Sequence, residues 1–151
     1  MSALSVLIIE KNSKLGKKLS ITGQGRCNIT NNSPIRETLK KYSKKDSKFI
    51  KHAFYSFKNN ELLDIFRNKG LEFKVEDNNR VFPITNSAES VINILNEYIL
   101  DLNIDLKLNN EVFDVLNNDD EFLIKTDKND YISKKLIIST GGITYPYTGS
   151  T

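Results

Sequence analysis

The pattern of apolar and polar positions divides the chain into helical and extended segments. Apolar residues recur at spacings of three and four in three stretches, which predicts three helices with one buried face each. The second predicted helix ends at Gly70, a natural left-handed cap, and the third begins after an N-cap at Asn86 with Glu89 three residues on. The predicted buried positions are Phe49, Ile50, Ala53, Phe54, Phe57, Leu62, Leu63, Phe66, Val91, Ile92, Leu95, Tyr98, Ile99 and Leu102.

Short apolar runs between turn-forming residues predict strands. Ser5–Ile9 is an apolar, β-branched run that predicts a buried parallel strand with Glu10 at its carboxyl end. Leu71–Phe82 predicts a hairpin, and Leu136–Ile138 predicts a final buried strand. Between these lie the predicted strands Ile104–Leu108, Val112–Leu116, Phe122–Thr126 and Tyr131–Ile132. This order of elements predicts an α/β sheet with an antiparallel addition.

The segment from Lys14 to Ser33 shows neither a helical nor an alternating pattern. It contains glycines at positions 16, 23 and 25, with hydroxyl or amide side chains between them. The pattern predicts a long polar loop, and loops of this length are usually functional or disordered.

Composition narrows the class of protein. A length of 151 residues predicts one domain, and 38% apolar with 27% charged residues is typical of a globular chain. The longest apolar run, Val6–Ile9, is too short to cross a bilayer, and no basic segment of a signal peptide precedes it. Cys27 is the single cysteine, which excludes an internal disulfide and a multi-cysteine zinc site. We therefore expect a cytoplasmic protein with no metal centre.

The net charge of +3 hides an uneven distribution. Residues 1–58 hold 13 Lys and Arg against 3 Asp and Glu, whereas residues 59–151 hold 9 against 16. A basic half suits an anionic partner, either a phosphate-bearing cofactor or a nucleic acid. An ordinary solvated surface explains most of these lysines equally well.

Glu10 occupies the position of a ribose-binding acid. In a dinucleotide-binding βαβ unit, a Gly-rich turn binds the diphosphate, and an acid at the end of the second strand binds the ribose hydroxyls. The glycine fingerprint would here lie upstream of Met1. Taken by itself, Glu10 is equally compatible with an ordinary acid at a strand end.

The loop sequence is more specific. Gly16–Asn31 reads GKKLSITGQGRCNITN and resembles the GKKLLITGGGRCNITN signature of BaiN-type, or aminoacetone-oxidase-like, FAD-dependent flavoproteins. Val6–Asn12, Arg80–Pro83 and Ser139–Thr151 resemble further motifs of that family in the same order. Gln24 departs from the signature, since many relatives carry Gly or Lys there.

The resemblance implies a partial glutathione-reductase-like (Rossmann) FAD-binding domain over residues 1–151. The first strand with its GxGxxG turn and the downstream substrate domain of the family would be missing. The implied activity is that of an FAD-dependent oxidoreductase, with NAD(P)H or an organic substrate as electron donor and an acceptor such as an enone or oxygen. A small-molecule substrate is expected, with neither nucleic acid nor membrane as partner, and the oligomeric state stays open.

The resemblance also implies which residues contact the cofactor. Gly23 and Gly25 permit positive φ and a close approach of the backbone to a ligand. Arg26 would neutralise phosphate or the electron-rich N1–C2 edge of a reduced flavin, and Cys27 would pack beside the cofactor. Val112 matches a strand position near the adenine, with Val115 as the alternative register. The implied set is Glu10, Lys11, Lys18, Thr22, Gly23, Gly25, Arg26, Cys27, Asn28, Val112, Thr140, Gly141 and Gly142; no catalytic residue is assigned.

Two alternatives to a flavoenzyme remain. One is an inert truncated fragment that holds no cofactor. The other is a basic nucleic-acid-binding module, in which lysines interleave with aromatic residues. The residues of that module would be Lys40, Lys41, Lys44, Lys45, Lys48 and Lys51 with Tyr42 and Tyr55. His52, among these lysines, is expected to be a solvated surface residue.

Overall fold

The computed structural model describes residues 4–142 and 146–148. The chain divides into two compact units: the first comprises Met1–Lys18 and Leu95–Thr151, and the second comprises Leu19–Ile94. Helices combine with one parallel strand pair and two antiparallel sheets, so the predicted α/β class is confirmed. Several residues of the carboxyl-terminal motif lie outside the described residues, namely Tyr145, Gly149, Ser150 and Thr151.

The first unit is built from strands. β1 (Leu7–Ile9) pairs in parallel with β5 (Asp105–Lys107), so that Ile9 lies opposite Lys107. The predicted parallel pairing before Glu10 is therefore confirmed, whereas the strand begins at Leu7 and is half-buried instead of buried. A separate antiparallel meander follows, with the order β6-β7-β8. Its strands are β6 (Val112–Asn118), β7 (Glu121–Thr126) and β8 (Asp130–Ser133), which agree with the predicted runs to within three residues.

The predicted buried strand at Leu136–Ile138 is wrong for the described structure. These residues form no strand, and the side chains of Ile137 and Ile138 are 88% and 71% exposed. A parallel strand requires neighbours that accept its backbone hydrogen bonds, and no described strand pairs with this segment. An apolar run of this kind is buried only when another strand pairs with it, and the local sequence does not determine that pairing.

The second unit holds most of the described helices. α1 (Ile35–Lys40), α2 (Lys44–Ser56) and α3 (Asn59–Arg67) precede an antiparallel sheet of order β2-β4-β3. The strands are β2 (Thr30–Asn31), β3 (Phe73–Glu76) and β4 (Arg80–Pro83). α4 (Ala88–Asp101) begins in this unit and continues into the first. Among the described residues, no helix is long and apolar enough to span a membrane.

The hairpin of β3 and β4 carries the core of the second unit. Val81 and Phe82 on β4 and Val91 on α4 are each 1% exposed. Phe66 of α3 meets Phe73 of β3 edge to face, with ring centroids 6.1 Å apart. Such aromatic contacts add to the free energy gained by removing apolar area from water. The other buried apolar residues of this unit are Cys27, Leu39, Leu63, Leu71, Ala88 and Ile94.

The turn chemistry predicted for this unit is confirmed at two places. Gly70 has φ +84° after α3, and the following Leu71 N–H donates to the Phe66 carbonyl as in a Schellman-type cap. The predicted hairpin turn contains Asn78 and Asn79, both with positive φ. Asparagine tolerates this region better than other non-glycine residues.

The predicted polar loop from Lys14 to Ser33 contains regular structure that its pattern did not indicate. Leu19–Gly25 forms a kinked 3-10 segment, and Thr30 and Asn31 form β2. β2 exists because β4 lies beside it, with Thr30 opposite Val81. α1 is likewise absent from the predicted elements, since six residues are too few to show a helical period.

The helix predicted around Phe49–Phe57 is present as α2, but its predicted buried face is wrong in part. No residue of α2 is fully buried, and only Ser47, Ile50 and Phe54 are even half-buried. Phe49 is 86% exposed, and Phe57, which follows the helix, is 51% exposed. The apolar face of α2 is therefore wider than the part of that face that packs against other residues. The periodicity of apolar positions cannot show which part packs.

α4 departs from its prediction at the N-terminus and in its buried face. The helix begins at Ala88, and Ser87 Oγ accepts a hydrogen bond from the Glu89 N–H at 3.2 Å, so Ser87 replaces Asn86 as the cap. Asn86 lies in the preceding turn with φ +52°. Ala88, Val91 and Ile94 form the buried positions, whereas two predicted members of the face are exposed, Leu95 and Leu102.

The contrast between buried and exposed phenylalanines gives the first prediction. Phe66→Ala should lower the free energy of unfolding by about 3–5 kcal/mol, because it empties a packed site. Phe49→Ala should change it by less than about 0.5 kcal/mol, because that ring is largely in water. Urea denaturation followed by circular dichroism measures both values. Equal losses in the two variants would contradict the assignment of Phe49 to the surface.

Candidate functional site

The carboxylate of Glu10 lies directly after β1, where the parallel pair with β5 ends. The Glu10 N–H donates to the Lys107 carbonyl at 2.9 Å, which extends the strand ladder to this residue. Glu10 Oε1 accepts hydrogen bonds from the Asn12 backbone N–H at 2.8 Å and from Asn12 Nδ2 at 2.6 Å. Both bonds end on Oε1, and no donor within residues 4–142 is bonded to Oε2, which can accept a hydrogen bond from another donor.

Basic side chains of the loop after β1 make contacts within the first unit. Lys18 Nζ donates to the carbonyl oxygen of Gly142 at 2.6 Å, and Lys17 Nζ donates to Asn12 Oδ1 at 3.2 Å. Lys11 Nζ lies 3.6 Å from Glu111 Oε1. The structure thus brings together the predicted residues Glu10, Lys11 and Lys18 on one loop, with Gly142 bound to its far end.

The carboxyl-terminal Thr-Gly-Gly turn reaches the same loop. Gly141 has φ +80°, and a Cβ placed on Gly142 would meet no atom within 4 Å. Asn12 Nδ2 also donates to the Thr148 carbonyl at 3.4 Å. Gly142 carries the contact to Lys18, whereas Thr140 is exposed and Val112, on β6, is 40% exposed.

Asn110 is a buried polar residue beside Glu10 that the sequence did not single out. Its N–H donates to the Glu10 carbonyl at 3.1 Å, and its Nδ2 donates to the Tyr131 hydroxyl at 3.0 Å. The side chain is 3% exposed, and Oδ1 has no hydrogen-bond partner among the described residues. A buried amide oxygen without a donor costs free energy, so this position suits a donor from a bound molecule.

In the second unit, residues 22–28 form a tight turn in which several residues have positive φ. Gly23, Gln24 and Gly25 have φ of 56°, 59° and 85°, so the positive φ predicted for the two glycines is confirmed. The Cys27 N–H donates to the Thr22 carbonyl at 3.0 Å and closes the turn. Thr22 Oγ1 in turn donates to the Leu19 carbonyl at 2.7 Å.

The turn packs against the ring of Phe82 on β4. A Cβ on Gly23 would lie 2.8 Å from the Asn28 nitrogen and 2.9 Å from Phe82 Cε1, closer than real Cβ contacts allow. The Ile29 N–H donates to the Val81 carbonyl at 3.0 Å, which fixes the end of the turn to β4. Glycine at position 23 is therefore required both by φ and by space.

Cys27 is fully buried in this turn, as predicted. Burial raises the pKa of its thiol, and a side-chain hydrogen bond with Thr22 offsets this in part. A buried neutral thiol is a poor nucleophile at neutral pH. The structure thus favours a packing role for Cys27.

Arg26 is engaged in two interactions within the second unit. Its Nη1 lies 3.0 Å from both carboxylate oxygens of Glu76, and its guanidinium carbon lies 4.1 Å from the centroid of the Phe82 ring. Lys74 Nζ also lies 3.0 Å from Glu76 Oε1. The Lys74 hydrogen bond, with that of Arg26, holds the pKa of Glu76 below its usual range. Glu76 therefore neutralises part of the positive charge of Arg26, which the sequence analysis expected to act on a bound phosphate.

Arg26 and Phe82 are among the residues that line an open cleft of about 220 Å³. Phe82 forms an apolar wall, and the guanidinium carbon of Arg80 lies 5.7 Å from its ring centroid, so two arginines flank one aromatic ring. The cleft is lined by Gly23, Gln24, Arg26, Asn28, Arg80 and Phe82. The arrangement is suited to an anionic group, because guanidinium groups bind phosphate and carboxylate.

Sequence reasoning placed three cleft residues near a ligand, Gly23, Arg26 and Asn28, but did not assign Gln24, Arg80 or Phe82. Arg80 and Phe82 lie in the Arg80–Pro83 motif, whose match to the flavoprotein signature was recognised without a role for its side chains. Glu76 had no such signal, because its pairing with Arg26 joins positions 50 residues apart in sequence.

A parallel strand pair ending in an acid, glycine-rich turns and an α/β arrangement define a nucleotide-binding class of domain. The chain matches the family described as "HI0933-like protein Rossmann domain" over residues 1–151. The chain therefore belongs to the HI0933-like family, and the resemblance to BaiN-type flavoproteins is confirmed. At the level of the family, this membership supports a flavin-type oxidoreductase.

Three curated relatives show the breadth of the similarity. Ribosomal RNA dihydrouridine synthase of Haemophilus influenzae is 25% identical over 151 residues, covering 97% of this chain and 37% of the relative. The Escherichia coli protein of the same name is 26% identical, covering 97% and 36%. The 3-dehydro-bile acid delta(4,6)-reductase of Clostridium scindens is 26% identical, covering 91% and 32%. The chain spans about a third of the length of these relatives.

Replacing Gly23 tests the close approach to Phe82. Gly23→Ala should destabilise the protein by about 2 kcal/mol or more, since it combines left-handed strain with two contacts under 3.0 Å. Gly70→Ala is the matched control, because Gly70 has φ +84° but open space around it, and should cost about 1 kcal/mol. Thermal unfolding of both variants gives the difference. A smaller loss for Gly23→Ala than for Gly70→Ala would contradict the packing described.

The paired carboxylate of Glu76 predicts a pH dependence of stability. Because its pKa is lower in the folded state, the ion pairs stabilise the protein above the ordinary Glu pKa of about 4.3. This stabilisation is lost as the pH falls through the lowered value. Glu76→Gln should lower stability at pH 7 and reduce the loss of stability on acidification to pH 3. Glu121→Gln, an exposed carboxylate without a described ion pair, should change neither. Denaturant midpoints at each pH measure the effect, and parallel pH curves for wild type and Glu76→Gln would contradict it.

Proposed function

We propose that this chain supplies the ribose-binding edge of the FAD site in a flavin-dependent reductase. The carrying observation is the Glu10 carboxylate at the end of a parallel strand, one oxygen held by Asn12 and the other left for a ligand. An acid at this position in a Rossmann domain accepts hydrogen bonds from the ribose hydroxyls of a dinucleotide. Family membership makes the flavin dinucleotide the appropriate ligand.

Fit to the cofactor is supported by two observations in the first unit. In the first unit, the unpartnered Asn110 Oδ1 lies in the residue whose N–H binds Glu10, so a hydroxyl or amino donor there would satisfy a buried oxygen. Lys18 brings a positive charge to the carbonyl of Gly142, where a diphosphate passes in this class of fold.

When bound, the flavin would supply two-electron chemistry, taking hydride from NAD(P)H and passing it to an organic acceptor. The residues of this chain would bind and orient the dinucleotide. Glu10 would hold the sugar, Lys18 would offset phosphate charge, and the arginines beside Phe82 would set the electrostatics of their cleft. No general acid or base is proposed among them.

The acceptor we propose is a carbon–carbon double bond conjugated to a carbonyl group. Support comes from the names of the relatives, one a delta(4,6)-reductase of a 3-dehydro-bile acid and two that form dihydrouridine in ribosomal RNA. Both kinds of name describe a product with a saturated bond next to a carbonyl system. The proposed reaction is the same for a small-molecule and an RNA substrate, namely reduction of such a double bond.

Titration of the chain with FAD tests the binding proposal. FAD should bind with quenching of flavin fluorescence, and anaerobic NADH or NADPH should bleach the bound flavin. Glu10→Gln should weaken binding about ten-fold or more, because a hydrogen bond to a charged group is replaced by one to a neutral amide. The amide oxygen can still accept both Asn12 bonds, so the local loop is retained.

Glu121→Gln is the control, since it removes one exposed carboxylate from the same unit and should leave the affinity for FAD unchanged. Two results would overturn the proposal. One is a native chain that takes up no FAD. The other is a Glu10→Gln variant whose Kd for FAD equals that of the native chain.

A further inference from the structure

The strongest unexplained feature lies outside the proposed cofactor residues, on α1, α2 and the turn between them. Residues 35–58 contain eight Lys and Arg against two Asp and Glu. Among the described residues, Lys40 pairs with Glu37, whereas no carboxylate pairs with Lys44, Lys48 or Lys51. A dense set of cations that is not neutralised within the chain produces an outward positive field.

The lysines of α2 are arranged on one line. Lys44, Lys48 and Lys51, followed by Tyr55, stand at spacings of four, three and four residues, which places them within an arc of about 60° on a helix. All four are exposed, and Tyr55 is 44% exposed. We refer to Lys44, Lys48, Lys51 and Tyr55 as the lysine stripe. The half-buried positions Ser47, Ile50 and Phe54 occupy a different arc of the helix.

The stripe is not explained by the stability of its own helix. Ser43 caps α2 by accepting the Asp46 N–H at 3.1 Å, so Lys44 stands in the first helical turn. Cations there are opposed by the helix dipole. A lysine in this position gains no described ion pair in return, which indicates that its charge serves contacts outside the chain.

Exposed aromatic rings accompany the stripe. Phe49 is 86% exposed and Tyr42 is 47% exposed, and Tyr42 contacts Phe54 with ring centroids 6.4 Å apart. Cations that follow a phosphate backbone, combined with rings that stack on unpaired bases, are the two components of single-strand recognition. An anionic membrane would instead require one continuous apolar arc to face outward. Here Ile50 and Phe54 are partly withdrawn from solvent, and the outward line is cationic.

We propose that the lysine stripe is a docking surface for single-stranded RNA. The lysines bind successive phosphates, and Tyr55 stacks on a base. This surface reverses the expectation from the sequence that nucleic acid is not a partner. It rests on charge and exposure in the second unit and does not require flavin to be bound.

Fluorescence anisotropy with a labelled oligouridylate of about 12 nucleotides tests the proposal on the full chain. The logarithm of the binding constant should fall with the logarithm of salt concentration with a slope of about −2 or steeper, because each phosphate contact to a single strand contributes about −0.7. K44Q/K48Q/K51Q should bind at least ten-fold more weakly at low salt, with a slope shallower by about 2. K44R/K48R/K51R should bind like the native chain.

The matched control is K128Q/K134Q/K135Q, which removes the same three charges from exposed lysines of the first unit. It should bind within about three-fold of the native chain. Tyr55→Leu should weaken binding about five-fold or more through lost stacking, whereas Tyr147→Leu, at an 82% exposed tyrosine, should not. Circular dichroism verifies that the helices are retained in every variant.

Three outcomes would overturn the proposal. These are no binding of the oligouridylate by the native chain, equal losses in the stripe and control triple variants, and binding to phosphatidylserine vesicles in place of RNA. The FAD titration tests the flavin function independently of RNA binding, because the stripe variants should keep native affinity for FAD.

Discussion

The second unit depends on one close contact, that of the Gly23 backbone with the ring of Phe82. A side chain at position 23 has no room between Phe82 and the Asn28 nitrogen, and the backbone there needs positive φ. This contact sets the path of the turn, buries Cys27 and directs Arg26 over the face of Phe82. A change at this point would therefore alter the cleft as well as the core, since the same ring belongs to both.

Charge in this protein is used in two different ways. Arg26 is compensated by Glu76, which Lys74 also contacts, so its guanidinium is fixed and partly neutralised before any ligand binds. The lysines of α2 have no such partners among the described residues and remain fully hydrated. A compensated cation orients a ligand at short range, whereas hydrated lysines attract a polyanion at longer range and in a salt-dependent way. The two groups are thus suited to different kinds of anionic ligand.

The strands show how much of the secondary structure the local sequence can predict. The run ending at Ile9 forms a strand because β5 lies beside it, whereas the equally apolar Leu136–Ile138 run pairs with no described strand and leaves Ile137 in water. β2 shows the converse, since two polar residues become a strand through contact with β4. Apolar content predicts where a strand can form, but hydrogen-bonded neighbours decide whether it does.

The sequence by itself determined the α/β class, the glycine positions with left-handed backbone, the hairpin before Pro83 and the family signature, because these depend on local conformation and on contiguous motifs. Only the tertiary structure decided that Arg26 pairs with Glu76, that Asn110 is buried beside Glu10 and that Phe49 is exposed. Those outcomes depend on which distant segments come into contact. The sequence around a residue does not determine which distant segments it contacts, so these features follow only from the tertiary structure.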